Sequence, residues 1–206
     1  MATTATKRKI LAVLAGGLVL GIGTAATLAA WNDSEFATGT FTAGAFNLQG
    51  STTSATTGYS DHNTDTGGTA ASLVFSLPAT ASSMGPGDTV YAPFWVRLDS
   101  ATTNNATLSA AGITAGTGGN EANLAYTIRA IGPTATCDAT ALGTVVAAGT
   151  SLSTQTGVTP VALSKGATAG APGTAVQLCI AVTAGTVSPG ASATATWKFT
   201  ATSVLS

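Results

Sequence analysis

The residues that could do chemistry are few, and they gather around the one histidine of the chain. His62 stands near Asp61 and Asp65 in a polar stretch of Ser, Asp, Asn and Thr. A catalytic zinc needs several ligands in fixed geometry, and the sequence has neither an HExxH motif nor a second histidine. The spacing of the acids also differs from that of an EF-hand loop. We therefore expect a solvated loop here, with no metal site and no cofactor.

No serine of the chain lies in a sequence motif that is typical of a catalytic nucleophile. The sequence has no GxSxG motif, and its glycines form neither a GxxxxGK[ST] loop nor a GxGxxG turn after a strand. General-base catalysis needs a rigidly held histidine, whereas His62 lies in a polar loop. These observations predict that the protein is not an enzyme. A hydrolase that depends on His62 is the distant alternative.

Cys137 and Cys179 are the two cysteines of the chain, and neither belongs to a CxxC motif. An even pair in an exported domain indicates a disulfide, which would close a loop of about forty residues and add stability. A free buried pair is the alternative, because two cysteines carry no spacing signature.

The N-terminus has the pattern of an export signal. Lys7, Arg8 and Lys9 precede an uncharged apolar run that extends from Ile10 to Ala30. By its length this run could also be a permanent membrane anchor, which is the competing interpretation. Its four glycines would weaken a continuous helix, since glycine costs about 1 kcal/mol relative to alanine in a helix interior. We therefore favour a cleaved signal.

Small residues at the end of the apolar run predict where it is cut. Thr27, Ala29 and Ala30 offer the small side chains that the subsites of a signal peptidase accept. We predict a signal peptide over residues 1–29 and a mature chain over residues 30–206 that acts outside the membrane. The signal peptidase is then a transient partner, and the membrane is contacted only before cleavage.

Composition limits the partners of the mature chain. The 206 residues are 45% hydrophobic and 7% charged. Once the three N-terminal bases are removed, four Lys and Arg residues remain against eight Asp and Glu residues, a net charge of about −4. Nucleic-acid binding needs clustered basic side chains, so nucleic acid is not an expected partner. The length of the mature chain favours a single domain.

Apolar side chains recur in short alternating groups between turn residues, which is typical of β-strands. No helical period interrupts them after the signal, so the predicted fold class is all-β: an antiparallel, jelly-roll-like β-sandwich behind an N-terminal apolar helix. The sequence does not decide whether residues 137–173 form two weak strands or a long surface loop. The alternation predicts strands over residues 36–48 with a bend near Gly44, and over 72–77, 89–98, 107–110, 124–131, 176–183 and 193–204.

Two motifs resemble those of the TasA/camelysin family of secreted proteins. The first is Trp31-Asn32-Asp33 just after the predicted cut, with a Gly-Thr-Phe strand following at residues 39–41. The second is Pro86-Gly87-Asp88, which leads into a long apolar strand. The resemblance is strongest over residues 1–48 and weakest through the middle of the chain.

The resemblance implies export through a dedicated SipW-type signal peptidase and a jelly-roll domain that forms extracellular fibres. In some members the mature N-terminal strand is lent to the next subunit. Here that donor would be residues 30–48, with Trp31, Phe36, Phe41 and Phe46 filling pockets while the backbone extends a neighbour's sheet. The same segment could form the first strand of its own domain, and the two interpretations are not exclusive.

The predicted function is therefore structural. We expect a secreted protein at the bacterial cell surface or beyond it, a subunit of a surface or biofilm-matrix fibre that self-associates into filaments by N-terminal strand exchange after signal cleavage. The alternative is a monomeric secreted binding module or adhesin that contacts the cell envelope or glycans through its Thr- and Ser-rich faces.

Overall fold

The computed structural model describes residues 3–26, 35, 38–39, 44–75 and 83–204. The chain forms two compact units, Met1–Thr42 and Ala43–Ser206. The first unit contains the helix α1, Thr4–Ala26, which begins just before the three basic residues and continues through the apolar run. Among residues with described side chains, no helix is long and apolar enough to span a membrane. Thr27, Ala29 and Ala30 lie outside the described residues, so the cleavage site stays a prediction.

The second unit is built from antiparallel strands in two sheets. One sheet has five strands in the order β1-β2-β7-β4-β5, and the other has three in the order β6-β3-β8. The predicted all-β antiparallel sandwich is therefore confirmed. The strands are β1 (Leu48–Ser51), β2 (Thr89–Leu98), β3 (Ala106–Ala115), β4 (Leu124–Ile131), β5 (Thr144–Gly149), β6 (Val161–Leu163), β7 (Val176–Ala184) and β8 (Ala195–Ser203).

Alternation of side chains along the central strands creates the core. In β2 every second residue from Val90 to Leu98 is buried, and the residues between them face the other side of the sheet. Because successive side chains of a strand point to opposite faces, this pattern gives one apolar face and one mixed face. Leu178 and Ile180 of β7 lie on the same core face, opposite Leu108 of the second sheet. These residues carry the hydrophobic stabilisation of the sandwich.

A tight turn sets the start of β2. Pro86 and Gly87 occupy its middle, and Gly87 has a φ of 90°, a conformation that favours glycine. The amide of Asp88 donates to Gly85 O at 3.1 Å, and the Asp88 carboxylate accepts from the Gly85 amide at 2.7 Å. The Gly87 amide donates to Ala184 O at 2.8 Å, so the turn helps to fix the register of the ten-residue strand β2 against β7.

The outer face of the five-stranded sheet is covered by the loop of residues 132–143, which we call the disulfide loop. Cys137 of this loop is bonded to Cys179 of β7, as the sequence predicted. Trp95 Nε1 donates to Pro133 O at 2.7 Å. The Gln177 amide, with its nitrogen turned toward the loop, donates to Gly132 O at 3.0 Å. Three side chains on the outer face thus hold the loop down.

Two strand predictions differ from the structure. Of the described residues within 36–48, only Leu48 lies in a strand, where β1 begins. Residues 72–77 were expected in a strand, but the structure leaves 72–75 unpaired although their burial alternates, and 76–77 lie outside the described residues. The open stretch 137–173 contains two short strands, β5 and β6, so the first of its two interpretations is correct. Strand formation depends on a partner with free backbone groups, and local alternation alone does not supply one.

The disulfide should be a main source of stability. Replacing Cys137 and Cys179 together by serine should lower the free energy of unfolding by about 2 to 4 kcal/mol, because the crosslink restricts the unfolded chain. The two cysteines are 42 residues apart, which makes the closed loop long. Denaturant unfolding followed by circular dichroism measures the change. A reductant should destabilise the wild type and leave the serine variant unaffected; equal midpoints for both proteins without reductant would refute the prediction.

Candidate functional site

The strand β8 leaves one edge of the sandwich open. It is the terminal strand of the three-stranded sheet and pairs with β3 on one side. Among the described residues, its other edge has no strand partner. The opposing sheet is also incomplete here, because β1 pairs with β2 only from Trp95 to Leu98 and leaves residues 89–94 of that edge unpaired by any described strand. Unpaired backbone donors and acceptors of this kind are a template for an added strand.

A groove of about 1120 Å³ lies between this open edge and the core face of the five-stranded sheet. Its floor includes Val90, Phe94 and Val96 of β2. Its wall includes Trp197 and Phe199 of β8, which are only partly buried although they face the core. The groove thus presents partly exposed apolar side chains beside the core, a feature typical of binding grooves.

Aromatic contacts connect the wall of the groove to its floor. Phe94 and Phe199 lie with ring centroids 6.2 Å apart, and Tyr126 meets Trp197 edge-to-face at 5.7 Å. These are favourable geometries for aromatic pairs. Gly50 of β1 permits this packing, because a Cβ at that position would come within 2.4 Å of the Phe94 ring. The aromatics predicted for strand segments thus serve the core and the groove together.

Two buried polar atoms beside the groove lack partners. Neither Trp197 Nε1 nor the Tyr126 hydroxyl has a hydrogen-bond partner among the described residues. Burial also raises the pKa of Tyr126, so the phenol stays neutral and retains its proton. Buried polar groups without a partner are uncommon in proteins, so these two atoms distinguish this side of the groove.

The loop of residues 61–75, which we call the strap, crosses the mouth of the groove. At its start Asp61 accepts from Asn47 Nδ2 at 2.8 Å, beside β1. In its middle Asp65 pairs with Lys198 of β8 at 2.5 Å. At its end Phe75 lies 6.1 Å from Trp197, centroid to centroid. The strap therefore joins the edges of the two sheets.

The buried carboxylate of Glu121 holds the segment that leads into β8. Glu121 is 8% exposed, and its two oxygens accept from the amides of Gly118 and Gly119 at 2.6 and 2.7 Å. Backbone donation from Gly118, and then from Glu121 itself, Gly119 and Thr194, holds the pKa of this carboxyl below its ordinary value despite desolvation. The neighbouring Asn120 amide donates to Ser188 O and Ala191 O, which fixes the approach to β8.

The predicted site residues fall into three groups. Phe46 is 41% exposed and lines the groove. Trp31, Phe36 and Phe41 lie outside the described residues, so their role as donor residues stays a prediction. His62 lies in the strap, where its ring contacts Ser60 Oγ at 3.1 Å and Thr69 O at 3.2 Å.

No metal centre emerges around His62. Among the described residues, no group of three or more His, Cys, Asp or Glu side chains is placed to hold a metal ion. The sequence did not reveal the groove, because its lining comes from distant segments, or the strap, because its contacts are with distant strands. The alternating apolar residues 71, 73 and 75 were the one local signal of the strap's inner end. What the arrangement offers chemically is an apolar slot with a free backbone edge, which suits an extended peptide segment.

Comparison with known proteins adds no relative. No protein-family model, curated protein or solved structure matches this chain. The groove, the disulfide and the sequence motifs are therefore the features that indicate a function.

Glu121 should make the sandwich sensitive to acid. A carboxyl whose folded pKa is depressed contributes stability above its ordinary pKa of 4.5 and loses it as pH falls through the lower folded value. Glu121→Gln should be less stable than the wild type at pH 7, because a glutamine side chain has one acceptor oxygen for the two backbone N–H groups. The difference in stability between the two proteins should become smaller below pH 4.5. Thermal unfolding from pH 7 to pH 3 measures this. The exposed Glu35→Gln is the matched control; a gap independent of pH would contradict the prediction.

The hydroxyl of Tyr126 should contribute nothing to stability. Tyr126→Phe should leave the free energy of unfolding unchanged within about 0.5 kcal/mol, or raise it, because an unsatisfied buried hydroxyl is removed. Tyr59→Phe is the matched control. Its hydroxyl donates to Ala55 O at 3.1 Å, and losing that bond should cost about 1 kcal/mol. Urea unfolding of both variants compares them, and a larger loss at Tyr126 than at Tyr59 would contradict the argument.

Proposed function

We propose that the protein is a secreted structural subunit of an extracellular surface or biofilm-matrix fibre, in which the N-terminal strand of one copy fills the groove of the next. The observation that carries this proposal is the groove, where an apolar floor lies beside the unpaired edge of the nine-residue strand β8. A strand added there gains backbone hydrogen bonds along β8 and covers Trp197 and Phe199. Each such bond contributes roughly 0.5 to 1.5 kcal/mol.

The composition of the N-terminal segment supports its role as the donor. Residues 30–44 contain Trp31, Phe36 and Phe41, and they include neither proline nor a basic residue. Proline would interrupt the hydrogen bonding of an added strand. From Ala45 onward the chain is attached to its own domain, since Thr103 N donates to Ala45 O at 3.0 Å. The donor is therefore residues 30–44, and Phe46 belongs to the acceptor.

Two features support export. The basic triplet and apolar run of α1 have the order of a secretory signal. The disulfide between Cys137 and Cys179 is of a kind that persists in oxidising compartments outside the cytosol. In this proposal, cleavage after Ala29 frees the donor strand, so assembly begins only after export.

A monomeric binding module is the second candidate function. The outward face of β8 carries the exposed residues Thr196, Thr200 and Thr202, whose hydroxyl groups suit polar ligands such as glycans. In that case the protein remains monomeric, and truncation of its N-terminus leaves ligand binding intact.

Filament formation by the mature chain tests the proposal. The chain that begins at Ala30 should form filaments visible by negative-stain electron microscopy, with rising light scattering. The chain that lacks residues 30–41 should stay monomeric with the same β-type circular dichroism. Phe36→Ser combined with Phe41→Ser should slow assembly at least tenfold, since two aromatic anchors are lost.

Leu142→Ser is the matched control for this experiment. Leu142 is 89% exposed on the disulfide loop, so its replacement removes an apolar side chain without touching the groove. Assembly of this variant should match that of the wild type. If the chain beginning at Ala30 and the truncated chain are both monomeric and folded, the fibre proposal is wrong and the binding module replaces it.

A further inference from the structure

We infer that the strap is an intramolecular plug, which closes the mouth of the acceptor groove until a donor strand from another copy displaces it. This inference rests on the proposed function, and it concerns the regulation of the same groove. The strap enters the groove from β1, is held to β8 by one ion pair, and places its last residues against the aromatic wall.

The inner end of the strap imitates a strand in its side chains. Ala71, Leu73 and Phe75 pack against the core, whereas Ser72 and Val74 face solvent, and Val74 is 78% exposed. This alternation has the period of a β-strand. Phe75 lies beside Trp197, so the plug covers part of the surface that a donor strand would use.

The backbone of the same segment does not behave as a strand. Among the described residues, residues 71–75 make no backbone hydrogen bond to β8 or β2. Trp197 Nε1 also remains without an acceptor while Phe75 lies next to its ring. The plug thus provides apolar contacts and leaves the hydrogen-bonding capacity of the groove unused. A donor strand supplies both, and this difference in binding favours exchange.

The attachment of the strap is weak enough to be reversible. The side chains of Asp65 and Lys198 are 61% and 55% exposed, so water and salt screen their attraction. The hydrogen bonds of His62 stay within the strap and its base. Release of the plug therefore requires the loss of one exposed ion pair and of the contacts made by Leu73 and Phe75. A monomer can stay closed at low concentration and open when donor strands are abundant.

Displacement of the plug can be followed directly. Val74→Cys, labelled with an environment-sensitive dye, reports on the strap because this position is exposed and lies between Leu73 and Phe75. The probe is a synthetic peptide of residues 30–44, added to the mature chain at concentrations where the protein alone is monomeric. Peptide binding is measured separately by fluorescence anisotropy of a label on the peptide. The dye signal should change together with the anisotropy.

Loosening the plug should speed peptide binding. Asp65→Asn and Lys198→Met should each raise the association rate roughly two- to fivefold, the range that an exposed ion pair allows. Exchanging the charges, with Asp65→Lys and Lys198→Asp together, should bring the rate back toward the wild-type value. Phe75→Ala should raise the rate by about tenfold or more, because it removes the main apolar contact of the plug.

The controls separate the plug from the fibre proposal. Asp138→Asn makes the same change of charge on the disulfide loop and should leave the rate unchanged. If the peptide binds but Phe75→Ala slows it or the ion-pair variants do not alter it, the strap is part of the acceptor and the plug is refuted. If the peptide binds to no variant, Phe75→Ala included, the proposed function fails and the plug fails with it.

Discussion

The structure depends on the mismatch between a five-stranded and a three-stranded sheet. The core face formed by β2, β7 and β4 is apolar along its whole width, and β6, β3 and β8 cover only part of it. Apolar surface must be removed from water for the sandwich to be stable. The uncovered part becomes the groove, and its wall is the partly buried aromatic side of β8. The aromatic pairs, the strap and the open edge all follow from this difference in width.

Charge is scarce in this chain, and several of its charged side chains hold elements beside the groove. Glu121 accepts backbone amides at the approach to β8, and Asp65 reaches Lys198 from the strap. The guanidinium carbon of Arg97 lies 3.7 Å from the centroid of the Tyr59 ring, so the two side chains make a cation–π contact. Burial raises the pKa of Tyr59 while Arg97 opposes that shift. These charged side chains thus make specific contacts that position the segments beside the groove.

Local patterns predicted the central strands and not the groove. Residues 89–98 and 124–131 were predicted to the residue, because their alternation is strong and their ends are marked by turn residues. Residues 71–75 have the same alternation, yet they lie unpaired, since pairing depends on which edges the rest of the chain leaves free. The short strands β5 and β6 are weakly marked because alanine, glycine and threonine give little contrast between two faces. The groove combines side chains from β1, β2, β8 and the strap, a combination that no single window contains.

Two of the other sheet edges are capped by backbone hydrogen bonds. At the edge of β5, Ala148 and Thr156 exchange backbone hydrogen bonds of 3.1 and 2.7 Å. At the edge of β1, Gly50 and Ser60 do the same at 3.0 Å. Such caps prevent uncontrolled pairing with other chains, and very short edges such as that of the three-residue β6 do so by their length. Among the described residues, the free side of β8 has no such cap, and residues 89–94 of β2 and 109–115 of β3 also lack a strand partner on one side. The free sides of β8 and of residues 89–94 of β2 both border the groove, so the fibre proposal places the added strand between them.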